Sequence, residues 1–187
     1  MDAHNYMTYE EFGRKFFEIA VSEERVCGAI AAIAGDAFEI GPIAQGPGKI
    51  AKVTAKVSVM DPRVTRTMGE MITFDIRIPL EIDMVVDLRI DKPKFMVFGE
   101  ITLNATARAA EPLLLILDVE KPRSSDISIH VTSKSLRAEV VRVLGNIDAE
   151  VRRFIAAHVS GEIDSPGSQK AKVIDVANSI DAAWTGI

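Results

Sequence analysis

Cysteine is almost absent from this chain: Cys27 is the only one in 187 residues. A single thiol forms no intrachain disulfide and no Cys-x-x-Cys zinc site. A chain of this size without disulfides suits a reducing compartment. Histidine is sparse too. His4, His130 and His158 have no second His or Cys at ligand spacing, which removes the zinc motifs. Basic residues are not in excess: 22 Lys and Arg stand against 27 Asp and Glu, a net charge of −5. Duplex-binding modules show the opposite balance, so nucleic acid is not an expected partner. Long apolar runs are missing. Residues 26–34 are apolar but broken by Gly28, and crossing a bilayer takes about 20 apolar residues. The opening MDAHNYMTYEEF has no basic segment leading into an apolar one, so no secretory signal is expected. The expectation is an acidic, cytoplasmic protein with no transmembrane segment.

Phosphate-binding loops and nucleophile elbows are missing as well. GPIAQGPGK at 41–49 places Gly48 before Lys49, but Ile43 occupies the position where a Walker A loop needs its first glycine. Pro42 and Pro47 lack the N–H donors that such a loop presents to phosphate. There is no G-x-G-x-x-G and no G-x-S-x-G, and no cofactor is implied.

What is present is an ordinary globular composition, 48% hydrophobic and 26% charged, in a length that suits one domain of roughly 100–200 residues. Residues 1–36 read as two short helices. Thr8 is an N-cap with Glu10 and Glu11 behind it, followed by Phe12, Phe16, Ile19 and Ala20 at helical spacing. Ser22 starts the second, whose stripe is Val26, Ile30 and Ile33, with Gly35 as its stop. Residues 41–48 read as a loop. From there to 132 the period changes from 3.6 to 2. Ala51, Val53, Ala55, Val57 and Val59 alternate with polar residues, as do Ile72, Phe74, Ile76 and Ile78. After Pro79, Leu80 to Ile90 resume the alternation, and residues 95–108, 113–119 and 127–131 read as further strands. One clean polar face argues for antiparallel pairing. Residues 133–163 read as one long helix, with Val140, Leu144, Ile147, Val151, Phe154 and His158 as its seam, Val143, Ile155 and Val159 widening the seam to a core-facing stripe, and Arg142, Glu150, Arg152 and Arg153 on its wet side. Residues 164–187 form a tail with a weak strand and a short helix carrying Val176, Ile180 and Trp184.

The fold class expected is α+β: a long curved antiparallel sheet wrapped around the long C-terminal helix, preceded by the two short helices. The unusual feature is strand length. Segments 49–60, 71–90 and 95–108 exceed the usual five or six residues, and the first and last span about 40–46 Å at ~3.3 Å per residue. The long helix, at 1.5 Å per residue, is about 43 Å and matches them. The face between sheet and helix is aliphatic, and its candidate ligand-lining residues are Ile82, Met84, Val86, Leu88, Ile101, Leu103, Leu144, Ile147, Val151 and Phe154. Ionisable candidates are weaker. Glu81, Asp83 and Asp87 share one strand face with Asp75 on the preceding strand. They alternate with the apolar set as a solvated face does and discourage edge association.

The strand pair broken at Pro79, MITFDIRIPLEIDMVVDLRI, followed by FMVFGEITLNATA and the long helix, resembles the tubular lipid-binding superfamily of bactericidal/permeability-increasing and synaptotagmin-like mitochondrial lipid-binding domains. The resemblance spans residues 37–163 and is one of pattern. It implies a curved sheet on a helix, an apolar ligand tunnel and no catalytic residues. The helix-grip group of polyketide cyclases and START domains is the second resemblance, although its members open with a strand. The function expected is a non-enzymatic binder or carrier of a lipid-like hydrophobic small molecule. One alternative is a homo-oligomer, most simply a homodimer, using residues 113–117 or the N-terminal helices. The other is a helix-grip, cyclase-like enzyme using His130 or Asp83 in a cavity.

Overall fold

The computed structural model describes residues 4–45, 47–49, 51–131 and 138–185; the side chains of 45, 47, 131 and 138–146 are not among those described. The chain is α+β, as its pattern predicts. In order it runs α1 (Tyr9–Ala20), α2 (Glu23–Ala34), β1 (Ala37–Gln45), β2 (Ala51–Val59), β3 (Arg63–Met68), β4 (Ile72–Asp87), β5 (Lys94–Ala110), β6 (Leu114–Val119), β7 (Ile127–Val131), α3 (Ala138–Asp164), α4 (Pro166–Ala171), β8 (Val173–Asp175) and α5 (Val176–Thr185). No described helix is long and apolar enough to cross a membrane.

One sheet contains all eight described strands, each pairing antiparallel. Its centre is the long hairpin of β4 and β5, 16 and 17 residues. Each arm is flanked on its outer edge by two shorter strands end to end. β2 pairs the second half of β4 and β3 its first half. On the other side β6 and β7 divide β5 in the same way. Pro79 sits where β2 gives way to β3, between the Leu80–Val59 and Arg77–Arg63 partners. Its carbonyl accepts from Met60 N–H at 2.9 Å. N and O of one strand residue point to the same edge, so the missing N–H faces the gap between the flanking strands and no ladder bond is lost. One register step away, opposite Leu80, Gly99 is required by close approach: a Cβ there would lie 2.9 Å from the Ser128 carbonyl oxygen.

The inward face alternates without a break from Phe74 to Val86 and continues through Val53, Val57, Ile101, Leu103, Ala105, Leu115 and Leu117. A single register row crosses the curl from edge to edge: Phe38, Val57, Ile82, Val97, Val131. α3 closes this half-barrel by touching both edge strands of that row, β1 and β7. His158 of α3 stacks on Phe38 with ring centroids 3.8 Å apart. α2 covers the rest of the sheet with Val26, Ile30 and Ile33. Thr8, Ser22 and Gly35 cap the first two helices as expected.

Several expectations are corrected. The segment read as a loop from Gly41 is largely strand: β1 takes up Gly41-Pro42 as an irregularity between Ile40 and Ile43 on a sheet edge, where proline and an extra residue are tolerated. β3 is an additional strand, whose inner face carries half-buried Val64 and Arg66 and, at its end, exposed Met68. Ser165 ends α3 but also caps α4, with Pro166 at its first position. α3 does not follow the expected seam. Among the described residues its buried side chains are Ile147, Val151, Ile155, Val159 and Ile163, an unbroken i+4 row, with Ala156 beside it, while Phe154 is 44% exposed; Ile155 and Val159, expected at the edge of the stripe, lie on its central row. A twisted sheet rotates the line of contact along a straight helix, which favours the inclined i+4 ridge. The same rotation brings Arg152, expected on the wet side, to a half-buried position where it pairs with Asp148 at 2.7 Å. The side chains of Val140, Val143 and Leu144 lie outside the described residues.

Candidate functional site

Of the ten aliphatic candidates, Ile82, Met84, Val86, Ile101, Leu103, Ile147 and Val151 meet in one buried core. Leu88 is half-buried just past the end of β4, Phe154 points away, and the Leu144 side chain is outside the described residues. Where Leu103 meets α2 and α3, among Ile30, Ile33, Ile78, Val159 and Ile163, the layers close to a void of about 10 Å³. That is no more than the space of one water. His130 and Asp83 are exposed on the outer face, and Asp87 is bound there to Lys92 at 2.9 Å. The hydrogen bond from Lys92, then that from the Arg89 N–H, holds the Asp87 carboxyl below its usual value. All three lie on the outer face of the sheet, where Asp83 lines an open hollow beside Gly41, Pro42 and Lys56; none faces the interior between sheet and α3. Among the described residues no group of three His, Cys, Asp or Glu is placed to hold a metal.

A larger space lies elsewhere, between α1 and one end of the sheet. It is an open groove of about 900 Å³, within the 300–1,000 Å³ of ligand sites. Three distant stretches build it. Gly13 and Phe17 of α1 form one wall. The β3–β4 turn gives Met68, Met71 and Ile72, and the end of β5 gives Ala107 and Ala109. Glu10, Arg14, Glu18, Glu70 and Arg108 ring it. Small residues make the room. A Cβ on Gly13 would meet nothing within 4 Å, and the alanines keep the β5 wall low. Gly13 costs α1 about 1 kcal/mol of helix propensity relative to alanine, and a larger side chain would occupy the groove. Methionine suits the rim, because its unbranched thioether adapts to differently shaped apolar partners.

α1 is held at one end only. The Arg66 guanidinium donates to the carbonyls of Glu18 at 2.6 Å and Val21 at 3.1 Å, and its backbone N–H donates to Glu23 at 2.7 Å. Arg25 donates to the carbonyls of Ile19 and Ala20. Two cations thus occupy the carbonyl end of the helix, where the dipole favours them. At the other end Thr8 and Glu11 form a reciprocal capping box. Between the two, no residue of α1 is fully buried. Phe17 packs partly on the core, as does Ala20 of the seam read from sequence, whereas the other three seam residues, Phe12, Phe16 and Ile19, face solvent.

Sequence reasoning missed this groove because its walls are some 40 to 100 positions apart in the chain. The one local signal was Gly13, a glycine inside an otherwise strong helical pattern. The Leu113–Leu117 stretch proposed as a partner surface is less open than its composition suggests: Leu115 and Leu117 are in the core and Leu114 and Ile116 are half-buried. Neither a protein-family model nor a curated protein matches this sequence.

Proposed function

We propose that the protein is a non-enzymatic binder or carrier of a lipid-like hydrophobic molecule, and that the molecule lies in the groove under α1. The observation that carries this reading is the pairing of an amphipathic helix without a buried residue and an open, mostly apolar groove of about 900 Å³ beneath it. A helix tethered at one end lets an elongated ligand enter from the side. The acyl portion would lie along Phe17, Met68, Ile72 and Ala107, each of which lines the space. Arg14 stands at the mouth in a 3.7 Å, solvent-exposed pair with Glu10. Such a pair is weak, so its guanidinium is available to a carboxylate or phosphate headgroup.

Native mass spectrometry of the purified protein, with solvent extraction of the same sample, tests the proposal. The expected result is a bound mass that extracts as a lipid, or saturable uptake of a long-chain fatty acid by emptied protein. Protein that is ligand-free as purified and takes up no fatty acid or phospholipid overturns it.

A further inference from the structure

The outward flank of α1 is a different surface from the groove, and it is the most apolar exposed feature described. Tyr6 is 91% exposed, Tyr9 98%, Phe12 59% and Ile19 68%, with Phe16 and Met7 beside them. Both tyrosines of the chain are here. Successive residues turn by about 100°, so Tyr9, Phe12, Phe16 and Ile19 form one stripe, and Glu11 and Lys15 lie along one of its borders. We propose that this stripe is the contact of a symmetric homodimer, in which α1 packs antiparallel on α1 of a second copy.

Two observations select a second copy as the occupant. The first is charge. A two-fold axis reverses the border, so Glu11 of one copy comes beside Lys15 of the other, twice. The flank therefore complements itself. Its two charges cancel, which gives an anionic membrane surface nothing to attract. The stripe is also complementary in shape: an axis at residue 14 sets Phe12 opposite Phe16 and Tyr9 opposite Ile19, and its offset of one residue, about 1.5 Å, from the midpoint of Glu11 and Lys15 is within reach of those long side chains. The second is area. Aromatic side chains bury roughly 150–250 Å² each. Weighted by their exposure, the four aromatics offer roughly 400–700 Å² per chain. Met7 and Ile19 bring this close to the about 800 Å² per partner of a standard interface. The groove side of α1 faces the other way, so the inference does not rest on the ligand reading.

Sedimentation equilibrium of the full chain across micromolar concentrations tests it. The expected mass is twice 20.4 kDa. Phe12→Glu, at an exposed position that leaves the fold intact by circular dichroism, is expected to give a monomer. Lys15→Glu lines the border with four acids and is expected to weaken the dimer roughly tenfold, with salt recovering part of the loss. A strict monomer overturns the proposal, as does a dimer indifferent to both substitutions. A monomer that floats with phosphatidylcholine vesicles in a Phe12-dependent way also overturns it, and assigns the stripe to a lipid surface instead.

Discussion

At the residue scale, α1 depends on a few polar side chains. Arg66 comes from a short strand, and its two carbonyl contacts and the Glu23 bond tie α1, α2 and β3 together. Hydrogen bonds from a charged donor contribute about 1.5–3 kcal/mol. Arg66→Met should therefore lower stability by about 1–3 kcal/mol in a urea melt and open the 8–22 segment to limited proteolysis first. The other end of the helix responds to pH. The Glu11 carboxylate accepts from the backbone N–H and then the hydroxyl of Thr8, which lowers its pKa from the usual 4.5. A depressed folded value means that the cap is fully present above 4.5 and is lost as pH falls through the lower folded value. Helical signal from α1 should therefore hold from neutral pH down to the usual carboxylate range and fray below it. Glu11→Gln should remove that acid-dependent step, read by NMR of the α1 amides.

At the scale of elements, α3 offers the sharpest contrast. Ile155 is fully buried and Phe154, its neighbour, is 44% exposed. Ile155→Asp would bury an unpaired carboxylate and should cost several kcal/mol, enough to threaten a domain of ~5–15 kcal/mol total stability. Phe154→Asp should cost less than about 1 kcal/mol. Thermal melts check this: a seam of alternating four and three steps would make the Phe154 substitution the damaging one. The contrast also marks where the sequence stops being informative. Ile147 and Val151 belong to both the 4-3 and the i+4 rows, so they could be named in advance. Ile155 and Val159 could be placed at the edge of the stripe, but whether they or Phe154 turn fully to the sheet, and how far Arg152 turns in, depends on how far the sheet twists beneath the helix, which no residue of α3 encodes. For strands the division is similar. The inner faces of β2, β4 and β5 were legible because each carries five or more alternating apolar residues. β3 was not, because Arg66 interrupts the short apolar alternation between Val64 and Met68. β1 was not, because Gly41-Pro42 signals a turn as strongly as a bulge.

At the scale of the whole molecule, the packed interior and the open groove are separate spaces. The half-barrel from β1 to β7 is filled by α3, and its aliphatic interior, the first place a ligand was expected, closes to about 10 Å³ where Leu103 meets α2 and α3. The open volume lies at the other helix, where Gly13, Ala107 and Ala109 leave side chains short. Long strands and apolar alternation announced the architecture from sequence alone. The groove remained hidden, since it is made by the return of β5 to the β3–β4 turn under α1, and none of the three stretches carries a motif. Gly13→Phe addresses the central claim directly, because it fills the groove from the helix side while improving helix propensity by about 0.5 kcal/mol. The decisive measurement is a titration of an environment-sensitive fluorescent fatty acid into the wild-type protein and Gly13→Phe, with a urea melt of each. Saturable binding to the wild type, lost in a variant that is at least as stable, is the predicted result. Equal binding by both proteins, or none by the wild type, would contradict a ligand site under α1.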